Sequence, residues 1–174
     1  MSKIGDLKFI LPKEGSSNVS LPKGFSSKIT KTIDLHIEDF LGKLNEAVQK
    51  QWVLTNFIQS PRFLIGHQEV LVSCWFNEAE DNNFVMLDVG DGDYSCAHLK
   101  SILVTGNCGN LTLKKRRDAD NGVNWKKDLA VEIGSIKELK EAMTTTGNHK
   151  LDLQVTATVV VPENSDEDQW IFPR

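Results

Sequence analysis

The most regular alternation in the chain runs from 151 to 159. Leu151, Leu153, Val155, Ala157 and Val159 are separated by Asp152, Gln154, Thr156 and Thr158, the period of a strand with one buried and one wet face. Pro162 ends it. A second alternation, Ile33, Leu35 and Ile37, lies in a Thr-, Lys- and Asp-rich run that begins near Ile29 and predicts another strand. The spacing then becomes helical. Phe40, Leu41, Leu44, Ala47, Val48 and Trp52 share one face behind Asp39, a residue suited to cap the N-terminus, and Pro61 closes the region.

One or two strands are predicted over 64–76, and a Glu/Asp/Asn-rich turn separates them from a short strand that starts at Phe84. Strands are also predicted over 101–105 and 111–115, flanking a turn at 106–109, and over 123–133. Ser135 with Glu138 forms a capping box, so a second helix follows through Leu139 and Met143 and stops at Gly147. Many strands, two helices and no βαβ rhythm define an α+β fold: a single domain, mainly antiparallel β-sheet with two helices and a flexible N-terminal arm. The expected division is a basic arm over 1–27, a core over 28–162 and an acidic tail over 163–174. The arm contains a repeated element, Leu11-Pro12-Lys13 and Leu21-Pro22-Lys23, and a short strand is expected within it at 7–11.

Composition adds few constraints. With 40% hydrophobic and 25% charged residues in 174, the chain suits one soluble domain with a real core. No apolar run is long enough to span a bilayer, and no secretory signal, myristoylation site or prenylation box is read. The chain is therefore expected not to be secreted, and membrane contact is expected to be peripheral. Cys74, Cys96 and Cys108 have no paired spacing, so neither a disulfide framework nor a zinc site is expected.

Charge changes the picture more. Lys114, Lys115, Arg116, Arg117, Lys126 and Lys127 stand against only Asp118 and Asp120, giving this segment +4 in a chain of net −4. The stretch 1–31 also carries +4. Two cationic elements on an acidic body point to an anionic partner: a phosphate backbone, a lipid headgroup, or another copy of the chain. Flanking strands would make the 114–127 cluster the tip of a hairpin, where solvated lysines alone are the plainer explanation. Trp125 beside the lysines could stack on a base, yet no RRM, KH or zinc-finger signature accompanies it.

Catalytic and metal-binding patterns are weak. Asp88, Asp91 and Asp93 form the densest carboxylate group, but an EF-hand reading from Asp91 puts Cys96 where Gly is needed and Ile102 where Glu is needed. A Gly/Asp turn accounts for the same letters. Cys96 and His98 are two apart, so on a strand they would share a face as a nucleophile and base. The four histidines show no metal-ligand spacing. No enzyme activity, cofactor, small-molecule substrate or metal is expected.

Several segments taken in order are similar to another group of proteins. After the basic arm come the strand over 32–37, the helix over 44–52 ending in Trp52, Ser60-Pro61-Arg62-Phe63, and the apolar run over 70–73. The late strand over 150–159 precedes an acidic run and Trp170-Ile171. This order, covering about half the chain, resembles the core of a rhabdovirus matrix protein of the small, plant-infecting type.

The resemblance implies a viral structural protein that self-associates, condenses the ribonucleoprotein and bridges it to the inner face of a membrane. The implied partners are the chain itself, the viral nucleocapsid and an anionic membrane surface, with nucleic acid a further candidate. The implied locations are the virion and the host cytoplasm, extending to the host nucleus. The arm residues Lys8, Leu11, Pro12, Leu21 and Pro22 would carry self-association by docking on a neighbour. The chain has no Pro-Pro-x-Tyr or Pro-Thr/Ser-Ala-Pro budding element. Its membrane affinity would rest on the basic residues, at about 1 kcal/mol for each one near anionic lipid. The alternative expectation is a nucleic-acid-binding nuclear regulator, such as a silencing suppressor or effector.

Overall fold

The computed structural model describes residues 7–15, 25–78, 83–119 and 129–162. Among them the strands are β1 (Leu7–Gly15), β2 (Phe25–Ile37), β3 (Ile58–Gln59), β4 (Phe63–Ile65), β5 (Gln68–Glu78), β6 (Asn83–Gly90), β7 (Leu99–Cys108), β8 (Leu111–Asp118), β9 (Val131–Ser135) and β10 (Leu151–Pro162). The helices are α1 (Phe40–Gln49) and α2 (Ile136–Thr146). One sheet has the order β1-β2-β10-β7-β8, the other β3-β5-β6-β9 with β4 attached to β5, and every paired strand runs antiparallel. The protein is α+β, mainly antiparallel sheet with two helices around a single core.

Alternation explains that core. Ile33, Leu35 and Ile37 of β2 lie opposite Val155, Leu153 and Leu151 of β10, and all six are buried. In the second sheet Val72, Cys74 and Phe76 of β5 pair with Val89, Leu87 and Val85 of β6, again all buried. The other face of the first sheet is wet and hydrogen-bonded. Thr30 meets Thr158 at 3.2 Å, Thr32 meets Thr156 at 3.1 Å, and His36 Nδ1 meets Asp152 Oδ1 at 2.5 Å.

Both helices begin where the sequence indicates. The Gly42 amide donates to Asp39 Oδ1 at 2.9 Å, and the Glu138 amide donates to Ser135 Oγ at 3.1 Å. Gly147, in the left-handed region at φ 70°, closes α2. Helix α1 stops earlier than its apolar spacing suggests. Gln51 turns to φ 55°, its amide bonds to Val48 O, and the Trp52 amide bonds to Ala47 O. That pair of bonds is a Schellman closure, and it returns Trp52 to pack on the core.

Three expectations need correction. Lysines 114 and 115 and arginines 116 and 117 are not at a hairpin tip. They occupy the length of β8, which pairs with β7, while β9 pairs with β6 in the other sheet. The chain between β8 and β9 therefore crosses from one sheet to the other. The turn expected at 106–109 lies further on, at Gly109 and Asn110, and Gly106 is a strand residue paired with Leu113 and Leu153. Finally, the sheet begins before residue 28. β1 pairs along β2 with an irregularity between Ile10 and Lys13, so Lys8, Leu11 and Pro12 fall in or beside a strand of the chain's own sheet. Leu21 and Pro22 lie outside the described residues, as do Trp125, Lys126, Lys127 and the acidic tail.

Candidate anion-binding edge

β8 is the outer strand of the first sheet, and Lys114, Lys115, Arg116 and Arg117 are all exposed on it. Leu113 is the last buried residue before them, facing Gly106 of β7. Beyond it Lys115 and Arg117 stand opposite the buried Val104 and Ile102 of β7 while staying exposed themselves, and Ala119 is the next buried residue. Arg116 is held by Asp118, its Nη2 donating to Oδ1 at 3.0 Å and its Nε to both carboxylate oxygens. That partner keeps the guanidinium more firmly protonated than usual. Arg117 Nη1 donates to Ala130 O at 2.9 Å, which ties the edge of the first sheet to the approach of β9. Between the two edges lies a groove of about 320 Å³ with Lys115, Arg116 and Arg117 on one wall and Met86, Ala130, Val131 and Glu132 on the other.

The site also includes two cations that the sequence pattern did not single out. Lys28, on β2, is only 7% exposed, and Lys100 is its neighbouring cation. Burial first, then Lys100 and then Arg116, all push its pKa below the usual lysine value. Register explains the meeting. Lys28 pairs with Val160 of β10, and on the far side of β10 the pairing with β7 shifts between Thr158 and Val159. Ser101 faces Thr158 and Leu99 faces Val159, so Lys100 is the extra residue of a bulge, a feature that redirects a side chain. Arg116 stands opposite Leu103, whose partner on β10 is Thr156 rather than Val160, so its charge reaches Lys28 from further along the sheet. Lys28 and Lys100 are thus neighbours across β10, with Arg116 the more distant cation. The even-numbered polar series 28, 30, 32, 34, 36 could have placed Lys28 on the wet face. Only the sheet order brings it to Lys100.

The carboxylate cluster resolves differently. Asp91 Oδ1 accepts from the amides of Asp93 and Tyr94, both at 2.8 Å, which is an Asx turn. Asp88 is buried and accepts from Ser95 Oγ and from its neighbour's amide, Val89 N. Ser95 Oγ in turn accepts from the Leu129 amide at 2.5 Å. Asp88 therefore anchors the chain entering β9. An open cleft of about 560 Å³ beside it is lined by Trp75, Asn56, Gln59 and Asp93 among others. No group of three or more His, Cys, Asp or Glu among the described residues is placed to hold a metal.

Cys96 and His98 do not share a strand face. They sit in the turn before β7, with His98 at φ 59°. Burial, and then the charge of Asp88, push the Cys96 thiol far from the thiolate that nucleophilic chemistry requires. Cys74 and Cys108 are likewise raised to about 12 by burial.

The arrangement can attract anions, and it offers a groove beside the cations. No helix among the described residues is long and apolar enough to cross a membrane. Comparison with family models, with curated proteins and with solved structures gives no match for this chain.

Proposed function

We propose that the chain is a non-enzymatic assembly protein of the rhabdovirus matrix type, bridging a ribonucleoprotein to an anionic membrane face and associating with copies of itself. The observation that carries the reading is the concentration of exposed cations along β8, joined by Lys28 and Lys100, on a body that is acidic elsewhere. Such a surface draws phosphate-bearing partners by local potential although the net charge is −4. The order of sequence segments quoted above supplies the matrix type.

Sedimentation of the intact chain at low and high salt, with and without vesicles containing phosphatidylserine, tests this reading. The expected result is oligomers that grow with concentration, together with vesicle binding that salt weakens. Changing Lys114 and Lys115 to Glu should abolish the vesicle binding. Point substitutions are preferable to deleting 1–27, because that deletion removes β1 and the first residues of β2. A strictly monomeric chain that ignores vesicles would end the proposal. A monomer that binds RNA with a steep salt dependence would favour the nuclear regulator instead.

A further inference from the structure

Trp75 of β5 pairs with Met86 of β6, and Met86 pairs with Glu132 of β9, so the three form one row across the second sheet. Their sequence neighbours Cys74, Phe76, Val85, Leu87, Val131 and Ile133 are buried in the core, which turns the row to the outer face. Two recesses meet on it. The groove beside β8 reaches Met86, with Lys115, Arg116 and Arg117 on its other wall. The cleft at the opposite end reaches Trp75 and is rimmed by Leu54, Asn56, Gln59 and Asp93. Directly opposed side chains of an antiparallel pair lie about 5 Å apart, so the cleft and the groove are two ends of one path. Strands are about 4.8 Å apart, and the path therefore covers about 14 Å from Gln59 on β3 to Glu132 on β9 before it reaches β8.

The two ends differ in charge. Three cations outweigh Glu132 in the groove, whereas the cleft is lined by Asp88 and Asp93 and by no Lys, Arg or His. A phosphate belongs at the β8 end and an uncharged ring at Trp75. Asp88 is occupied with Ser95 Oγ and the Val89 amide, but Gln59 and Asp93 are exposed and match the donors and acceptors along the edge of a base. An acyl chain at the same place would give these groups no hydrogen bond. The rim also holds Leu54 at φ 60° and 70% exposed, a strained and wet position for a leucine. We propose that this path binds single-stranded nucleic acid, with a base stacked on Trp75 and the adjoining phosphates on Lys115, Arg116 and Arg117. The proposal rests on the anion-binding reading given above and adds the base-binding half, which a lipid headgroup would not use.

The test titrates the full-length chain with three probes: a short oligothymidylate, an abasic oligomer of the same length and charge, and vesicles containing phosphatidylserine. Wild type should bind oligothymidylate about fivefold or more tighter than the abasic oligomer, the share of affinity that stacking supplies. Trp75→Leu should remove most of that advantage and Trp75→Phe should keep it, with the salt dependence the same in both. Gln59→Ala, at an exposed position, should narrow the same gap without disturbing the core. Lys115→Gln should instead weaken both oligomers alike and flatten the salt slope by about 0.7. Equal affinities of wild type for the two oligomers, or an advantage that survives Trp75→Leu, would overturn the site. Vesicle binding that salt weakens, without binding of either oligomer, would overturn it while leaving the anion-binding edge in place; failure of all three probes would remove both.

Discussion

Replacing Ser95 with Ala should destabilise the protein by about 3 kcal/mol, far more than the loss of one hydroxyl normally costs. Ser95 Oγ both donates to the buried Asp88 carboxylate at 2.8 Å and accepts from the Leu129 amide at 2.5 Å. A hydrogen bond to a charged group contributes about 1.5–3 kcal/mol, and a buried amide left without an acceptor costs a further 1–3 kcal/mol. All three residues are buried, so water cannot readily take over either bond. The natural control is Thr158→Ala, which removes a hydroxyl paired at 3.2 Å with Thr30 on the half-exposed face of the first sheet. Water can replace that partner, and the expected loss is below about 1 kcal/mol. Urea denaturation of both variants gives the comparison. Hydrogen exchange at Leu129 shows whether the loss falls on the chain entering β9, and a similar small loss in both variants would refute the argument.

Other consequences follow from charge and backbone geometry. Cys74 has its thiol raised from 9.0 to about 12 by burial, so the folded state keeps its proton where the unfolded chain loses it. Stability therefore falls as pH rises above 9; between pH 7 and 10 the advantage of wild type over Cys74→Ala, measured by denaturation under reducing conditions, should shrink by about 1.4 kcal/mol. Gln51 holds a left-handed conformation in the closure of α1, so Gln51→Gly should raise stability by up to about 1 kcal/mol; a lower thermal midpoint would contradict that account. A Cβ on Gly106 would lie 2.0 Å from Asp152 O, so Gly106→Ala should cost at least about 2 kcal/mol in denaturation experiments by forcing β7 away from β10. Lys28→Met should leave the thermal midpoint unchanged or higher, since it removes a buried charge among cations, while flattening the salt dependence of oligothymidylate binding by about 0.7 in slope. An unchanged slope would exclude Lys28 from the anion site.

Strands and caps were legible in the sequence wherever one local rule decided them. The alternation in β10, the capping box at Ser135 and the stop at Gly147 each need only neighbours in sequence. What failed needed knowledge of partners. Gly106 and Gly109 look alike as turn residues, and the difference lies in Asp152, whose carbonyl approaches Gly106 from β10. The basic run was visible, but its place on an edge strand follows from β8 pairing back to β7 and β9 joining the other sheet. Trp52 fits the helical period of α1, yet it returns to the core through a left-handed Gln51 that no propensity would select. Cys96 and His98 would share a face only on a strand, but both precede β7 and His98 is left-handed, so their spacing of two brings no shared face.

The lysines of β8 have a purely structural explanation, because charged side chains on an outer strand deter pairing with another sheet. That explanation covers Lys114 and Lys115, which are exposed on the edge. It does not extend to Lys28 or Lys100. Neither lies on an edge strand: β2 has β1 on one side and β10 on the other, and β7 sits between β10 and β8. Protection against stray pairing calls for solvated charge, whereas Lys28 is buried beside Lys100, where burial and then the neighbouring cations disfavour its charge. A fold that needed only a guarded edge would put an apolar or neutral residue at position 28. The two internal lysines, more than the visible basic run, are what favour the anion-binding reading we propose over a guarded edge alone.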